Sequence, residues 1–349
     1  MAEISRASIK YEDNIYNTAG DCWLLIRKMD KNILKGVLFV GLGSAIYGML
    51  ATFVKLSYKD GYTTSEVTVS QFVIGFLGLL ILNVIQTSTS QKKLEMPDRK
   101  QIKQLLLAGT SLGCTSLFYY ISVQYINVSI AIVLLMQSVW LSVVLESVLT
   151  RTFPQLRKVI AVCIVIIGTL LATNIINMEI DLDWRGLLWG LAAACSFTIT
   201  MFTSNRIGTN LPVLRKSIIM VTGGSAVVSL FSFFTQIGPF YFESLREIYQ
   251  NYAESTAPIK AFDFSIFWSY GFVLALFGTI LPPILFNLGF PKAGLGLGSI
   301  ISSLELPVSV TMAHVLLGEE VLLIQWLGIF LILMAIVLMN ITIKNKSLH

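Results

Sequence analysis

Gly36–Lys55 reads GVLFVGLGSAIYGMLATFVK, and Gly186–Asn205 reads GLLWGLAAACSFTITMFTSN. At a constant offset of 150, Gly36 falls on Gly186, Phe39 on Trp189 and Tyr47 on Phe197. Each stretch is apolar and has the ~20-residue length that carries a helix across a bilayer. One membrane-crossing segment therefore occurs twice.

Working outward, apolar stretches of this kind lie near 33–56, 66–86, 102–124, 127–149, 156–177, 184–205, 213–237, 266–290, 292–317 and 321–343. The chain is 55% hydrophobic and 13% charged, with mean hydropathy +0.74. A soluble chain would carry about 25% charge. Inside lipid every backbone amide and carbonyl must be satisfied within its segment, which makes these stretches helices. Barrel strands would be shorter and would alternate polar with apolar residues. The sequence thus predicts an all-α integral membrane protein of ten transmembrane helices.

The duplication extends beyond the opening pair. SIAIVLLMQSVWLSVVLESVL and LRKVIAVCIVIIGTLLATN, from Ser129 and Leu156, find counterparts in LGLGSIISSLELPVSVTMAHVLLGEE and LIQWLGIFLILMAIVLMN, from Leu295 and Leu323. The offset there is about 165 to 167, so one short gap separates the two alignments. Five spans per half is an odd number, so the second half enters the membrane upside down. The expected domains are a first repeat over 33–178 and an inverted repeat over 184–343. Residues 1–32 are read as a cytoplasmic arm, poorly ordered or with a short helix, and 344–349 as a cytoplasmic tail. Inverted repeats mark secondary transporters, with the substrate site near mid-bilayer between the halves.

Charge sets the orientation. Of 25 Lys and Arg residues, only Lys55, Lys59, Arg185, Arg246 and Lys260 fall on one side of the predicted bilayer. The positive-inside rule puts the richer side, with both termini, in the cytoplasm. The net charge of +5 follows the membrane and is no nucleic-acid footprint. The long connection Gly238–Ser265 then lies outside, where Leu245, Ile248, Tyr249 and Tyr252 recur at helical spacing, as in a helix resting on the leaflet. Four cysteines and two histidines show no metal-ligand or disulfide spacing, so no metal and no cofactor is expected.

The stretch SSLELPVSVTMAHVLLGEEVLLIQWLGIFLILMAIVLMN resembles the C-terminal half of the drug/metabolite transporter superfamily, EamA family. The features that carry the likeness are Glu305 before Pro307, Leu317-Gly318-Glu319, and Trp326-Leu327-Gly328, together with the small residues and single aromatic of the first span ending in Lys55. Thr150-Arg151-Thr152 departs from the Gly-Glu-Arg turn of the first half. The resemblance covers about residues 33–343. It implies a ten-helix bundle, for which a monomer suffices, that moves small metabolites, often amino acids or their analogues, frequently outward.

Glu305 is the leading candidate for binding cargo. It stands near the middle of a span, where an ionised carboxylate costs at least ~2.5 kcal/mol and normally faces a cavity or a partner. It is expected to bind a substrate amino group or carry a coupling proton; the competing reading is a structural acid bonded to a carbonyl freed by Pro307. Gln137 and Trp140 share a helix face, and the repeat sets them opposite Ser302 and Glu305. With Tyr47, Ser196, Phe197 and, further out, Tyr119, they form the expected cavity wall. Pro282, Pro283, Asn287 and Pro307 are candidate gating positions, since a proline removes a main-chain hydrogen bond within the span. Small residues four apart, at Gly109/Gly113, Gly186/Gly190 and Gly294/Gly298, read as close helix contacts.

Three classes compete. A membrane-embedded enzyme needs a cluster of His, Asp or Glu at an interface, and a receptor needs no inverted duplication. A secondary transporter accounts for both features. The expected activity is export or exchange of amino acids or related compounds by alternating access, with protons as a candidate coupling ion; a facilitator of nucleotide sugars, purines or drug-like solutes is the alternative. The expected partners are a small-molecule substrate and the lipid bilayer of a bacterial inner membrane, without nucleic acid, for a monomer or weak homodimer.

Overall fold

The computed structural model describes residues 31–89, 95–126, 128–172, 183–253, 259–318 and 321–342. The N-terminal arm up to residue 30, most of the acidic loop 179–183, Glu319 and the C-terminal tail lie outside the described residues.

Hydropathy and helix length account for the elements: α1 (Lys31–Lys59), α2 (Thr64–Thr89), α3 (Arg99–Tyr125), α4 in two segments (Val128–Leu135 and Ser138–Thr150), α5 (Leu156–Ala172), α6 (Trp184–Arg206), α7 (Val213–Tyr241), α8 (Glu243–Ala253), α9 (Phe267–Ala293), α10 in two segments (Leu295–Ser302 and Glu305–Leu317) and α11 (Leu323–Thr342). Among the described residues there is no strand. Among the described residues eight helices are long and apolar enough to cross a membrane, and Leu323–Leu338 is a shorter apolar helix. The protein is an integral membrane helical bundle. The short helix α8 forms where the spacing of Leu245, Ile248 and Tyr249 predicts it.

Packing follows the duplication. α1 runs along α9 as α6 runs along α3, and α1 meets α10 as α6 meets α4. α3 packs on α7 as α2 packs on α9, while α2–α7 and α5–α11 pair across the same relation. These major pairings map onto one another, or onto themselves, when the halves are exchanged, whereas the packing of α6 on α9 has no counterpart of like extent between α1 and α3. The hairpin turns match as well: Gly61 between α1 and α2 and Gly208 between α6 and α7 both take positive φ, +85° and +60°, which only glycine adopts without strain.

Close approach explains the tightest of these contacts. A Cβ on Gly109 would lie 2.1 Å from the Met220 carbonyl oxygen, and one on Gly113 would lie 2.5 Å from that of Gly224. Small residues thus let the α3 and α7 backbones touch, as the glycine spacing predicts. At one end of the bundle, Lys216 near the start of α7 donates to the Ser204 carbonyl at 2.9 Å. That carbonyl belongs to the last turn of α6, where a helix leaves acceptors free and a cation is favoured.

Candidate functional site

The site grows from two broken helices. In α10 Pro307 has no N–H to give the Ser303 carbonyl. The chain responds with a tighter turn: Leu304 N–H donates to Ile301 O at 3.1 Å and Leu306 N–H to Ser303 O at 3.2 Å. The second segment begins at Glu305. In α4 the same turn forms without proline, with Gln137 N–H donating to Leu134 O and Val139 N–H to Met136 O, both at 3.0 Å. The carbonyl of Val133, which loses the Gln137 amide, accepts from the Gln137 side chain instead at 2.9 Å.

These paired turns differ by 167 residues throughout. The repeat register is therefore two residues longer than the one that set Gln137 opposite Ser302 and Trp140 opposite Glu305. Ser138 is the counterpart of Glu305, and Trp140 that of Pro307. The sequence alignment missed this because the gap between the halves falls in a run of aliphatic residues that match equally well in either register. The segments meet where Ser299 Oγ of α10 donates to the Val139 carbonyl of α4 at 3.4 Å.

Glu305 is 7% exposed and its Oε2 has no hydrogen-bond partner. The Pro307-freed carbonyl is occupied by Leu306 N–H, so it is not what holds Oε2. Tyr47 of α1 and Tyr119 of α3 lie within electrostatic range of Glu305. The Tyr47 hydroxyl pairs with Ser116 of α3, and its ring stacks on Phe197 of α6 with centroids 5.9 Å apart. Phe286 of α9 follows at 6.3 Å from Phe197. Gly48 permits this assembly, because a Cβ there would lie 2.3 Å from the Glu305 carbonyl oxygen.

Of the residues singled out from sequence, Glu305, Tyr47, Tyr119 and Phe197 converge. The others are engaged elsewhere. Trp140 Nε1 donates to Gln137 Oε1 at 2.8 Å, and Trp140 is 37% exposed. Ser196 donates to the Ser111 carbonyl, and Ser302 to that of Ser299. Pro282 and Pro283 open the last α-helical segment of α9, directly after a π-helical turn over Leu276–Ile280. Asn287 donates to Ser217 Oγ of α7 at 3.0 Å. Ser44 and Ser138, which sequence reasoning overlooked, carry buried hydroxyls without a partner. Ser138 was recoverable from the correct repeat register. Ser44 stands one turn before Tyr47 and was hidden among the small residues of α1.

A carboxyl oxygen without a partner, near a phenol and the ring stacked on it, suits an apolar ligand that carries a few hydrogen-bonding groups. A cationic group would gain both from the carboxylate and from the ring faces.

The profile of the EamA-like transporter family matches residues 34–174 and, separately, residues 184–341. Each match covers one half, so the family unit occurs twice. The chain is 24% identical over 319 residues to a protein of Salmonella typhimurium (strain LT2) described as the uncharacterized inner membrane transporter YicL, covering 90% of this chain and 97% of the relative. A solved structure, titled only as the crystal structure of a protein, shares the fold at 14% identity with a TM-score of 0.64, covering 87% of this chain and 97% of the other. The chain belongs to the EamA-like transporter family and is a membrane transporter of small solutes.

Proposed function

We propose that this protein exports or exchanges amino acids or related amines by alternating access, with Glu305 as the group that takes the substrate amine or a coupling proton. One observation carries the reading: a mid-span carboxyl oxygen, buried beside Tyr47 and Tyr119 at a helix break, has no partner of its own. Leaving a buried acceptor unsatisfied costs about 1–3 kcal/mol. A protein that binds and releases a cation there recovers that cost in the loaded state. Broken helices at the repeat interface are where transporters of inverted design hold their cargo.

The charge distribution supports cytoplasmic termini, and the Salmonella relative supports a bacterial inner membrane. The α1–α2 turn is then outside and the α2–α3 connection inside.

The test is uptake of labelled amino acids into proteoliposomes, with and without a pH gradient, for the parent protein and Glu305→Gln. The variant keeps the shape and loses the charge. Uptake is expected to fall at least tenfold, or to lose its response to the gradient. An unchanged rate with an unchanged response refutes the reading.

A further inference from the structure

A second acid is buried in the first turn of α2. Glu66 is wholly buried at the bundle end that carries the α1–α2 turn. Its Oε2 accepts from the Thr63 N–H at 2.7 Å. Its Oε1 accepts from Gln236 Nε2 of α7 at 2.9 Å and from the Asp263 N–H at 2.8 Å. Three separate segments therefore meet on one carboxylate. Such charge-assisted bonds are about twice as strong as neutral ones.

Further ties gather around it. Thr63 Oγ1 donates to Gln236 Oε1 at 2.7 Å. The Lys260 ammonium donates to the Gly61 carbonyl at 3.1 Å, while staying 4.0 Å from Glu66 and 3.9 Å from Asp263. The hydroxyls of Tyr62 and Ser265 lie 2.7 Å apart, and Tyr270 donates to Asp60 at 2.6 Å. Asp263 in turn accepts from the Ser265 N–H at 3.0 Å, and the Ser265 hydrogen bonds hold its carboxyl below the ordinary aspartate range. Apart from the bonds of Thr63 to Glu66 and the contacts of Asp263 with Ser265 and Lys260, each tie joins the first repeat to the second.

What they hold is the start of α9, and that helix is built to bend. It begins with a π-helical turn at Phe267–Gly271, passes through Phe272–Ala275, enters a second π-helical turn at Leu276–Ile280, and meets Pro282-Pro283. Two π-turns and a proline pair in one helix interrupt the regular ladder where kinks and functional motions arise. The second π-turn is also tethered. Thr279 Oγ1 accepts from Gln71 Nε2 at 3.0 Å, and Gln71 Oε1 accepts from Tyr120 at 2.8 Å. Tyr120 adjoins Tyr119, which lies within electrostatic range of Glu305.

We propose that the first half of α9, Phe267–Ile280, is a gate arm hinged at its second π-turn, and that Glu66 is the latch that holds it shut over the central site. Gln71 of α2 connects the hinge, bonded through Thr279, to Tyr120 of α3, the helix that carries Tyr119. This rests on the alternating-access reading. Opening the site on this side requires the second-repeat donors, Gln236 and Asp263, to leave Glu66, while the hydrated Lys260 stands ready to meet the exposed carboxylate.

The full chain in liposomes provides the test. Spin labels at Lys59→Cys and Phe264→Cys, with Cys22, Cys114, Cys163 and Cys195 changed to Ser, report the separation of the α1–α2 turn from the arm. The parent is expected to give one short distance. Glu66→Gln, which presents N–H groups to donors, and Gln236→Leu, which leaves the carboxylate in place, are each expected to add a longer population. A thiol at Ser116→Cys is expected to react with a polar maleimide on the order of tenfold faster in both, the effect of losing one hydrogen bond to a charged group. Parent-like distances and parent-like reactivity in Gln236→Leu overturn the latch, even where Glu66→Gln does not fold. Neither readout uses transport, so that failure is separable from a failure of the Glu305 assay.

Discussion

At the scale of single residues, the site depends on what is missing as much as on what is present. Gly48 has no side chain, and the Glu305 carbonyl occupies the space a Cβ would take, at 2.3 Å. Gly41, two turns earlier in α1, faces the same helix, yet a Cβ there meets nothing nearer than 3.7 Å. Gly48→Ala is therefore expected to push α1 from α10, to cost ~1–3 kcal/mol as overpacking does, and to abolish uptake. Gly41→Ala is expected to leave both near the parent. Thermal unfolding followed by size exclusion, with uptake beside it, checks the pair. Glu305 was legible in the sequence because an acid in the middle of an apolar span stands out alone. Ser138 was not, because one serine among many has no signal until its partner across the repeat is known.

At the scale of elements, α4 and α10 break at equivalent points for different reasons. Proline enforces the turn in α10. In α4 the turn is held by Gln137, whose amide serves the Val133 carbonyl and whose oxygen serves Trp140. That use removes Gln137 and Trp140 from the list of free cavity groups. Gln137→Leu strips a carbonyl and an indole of their partners at once. It is expected to cost about 1–3 kcal/mol of stability, visible as a lower apparent melting midpoint. The helices were readable from hydropathy, and their breaks were readable only where a proline announced one.

At the scale of the whole molecule, exchanging the halves returns the major helix pairs, though α6 packs on α9 without a matching contact of α1 on α3. The α1–α2 turn and the α6–α7 turn are equivalent in fold, and the inversion we propose sets them on opposite faces of the membrane. Cysteine at Lys59 is expected to react with a membrane-impermeant maleimide in intact cells. Cysteine at Asn210 is expected to react only after permeabilisation. Labelling of both from one face would contradict the inversion. The inner counterpart of the latch is slighter: Asn210 donates to Glu95 at 2.9 Å and Arg215 to the Glu95 carbonyl at 2.8 Å, all exposed. Water screens such contacts, so the two ends are held with unequal strength.

Membrane class, helix positions, the duplication and the placing of an acid, Glu305, inside an apolar span were all present in the chain itself. Each depends on local hydropathy over ~20 residues, or on comparing one stretch with another. The register of the repeat, the unpaired atoms of Ser44, Ser138 and Glu305, and the gathering of three segments on Glu66 came only with the folded bundle. Those properties depend on which backbones approach closely enough to touch, and on where each donor finds its acceptor. Residues far apart in sequence settle both together, and no window along the chain contains them.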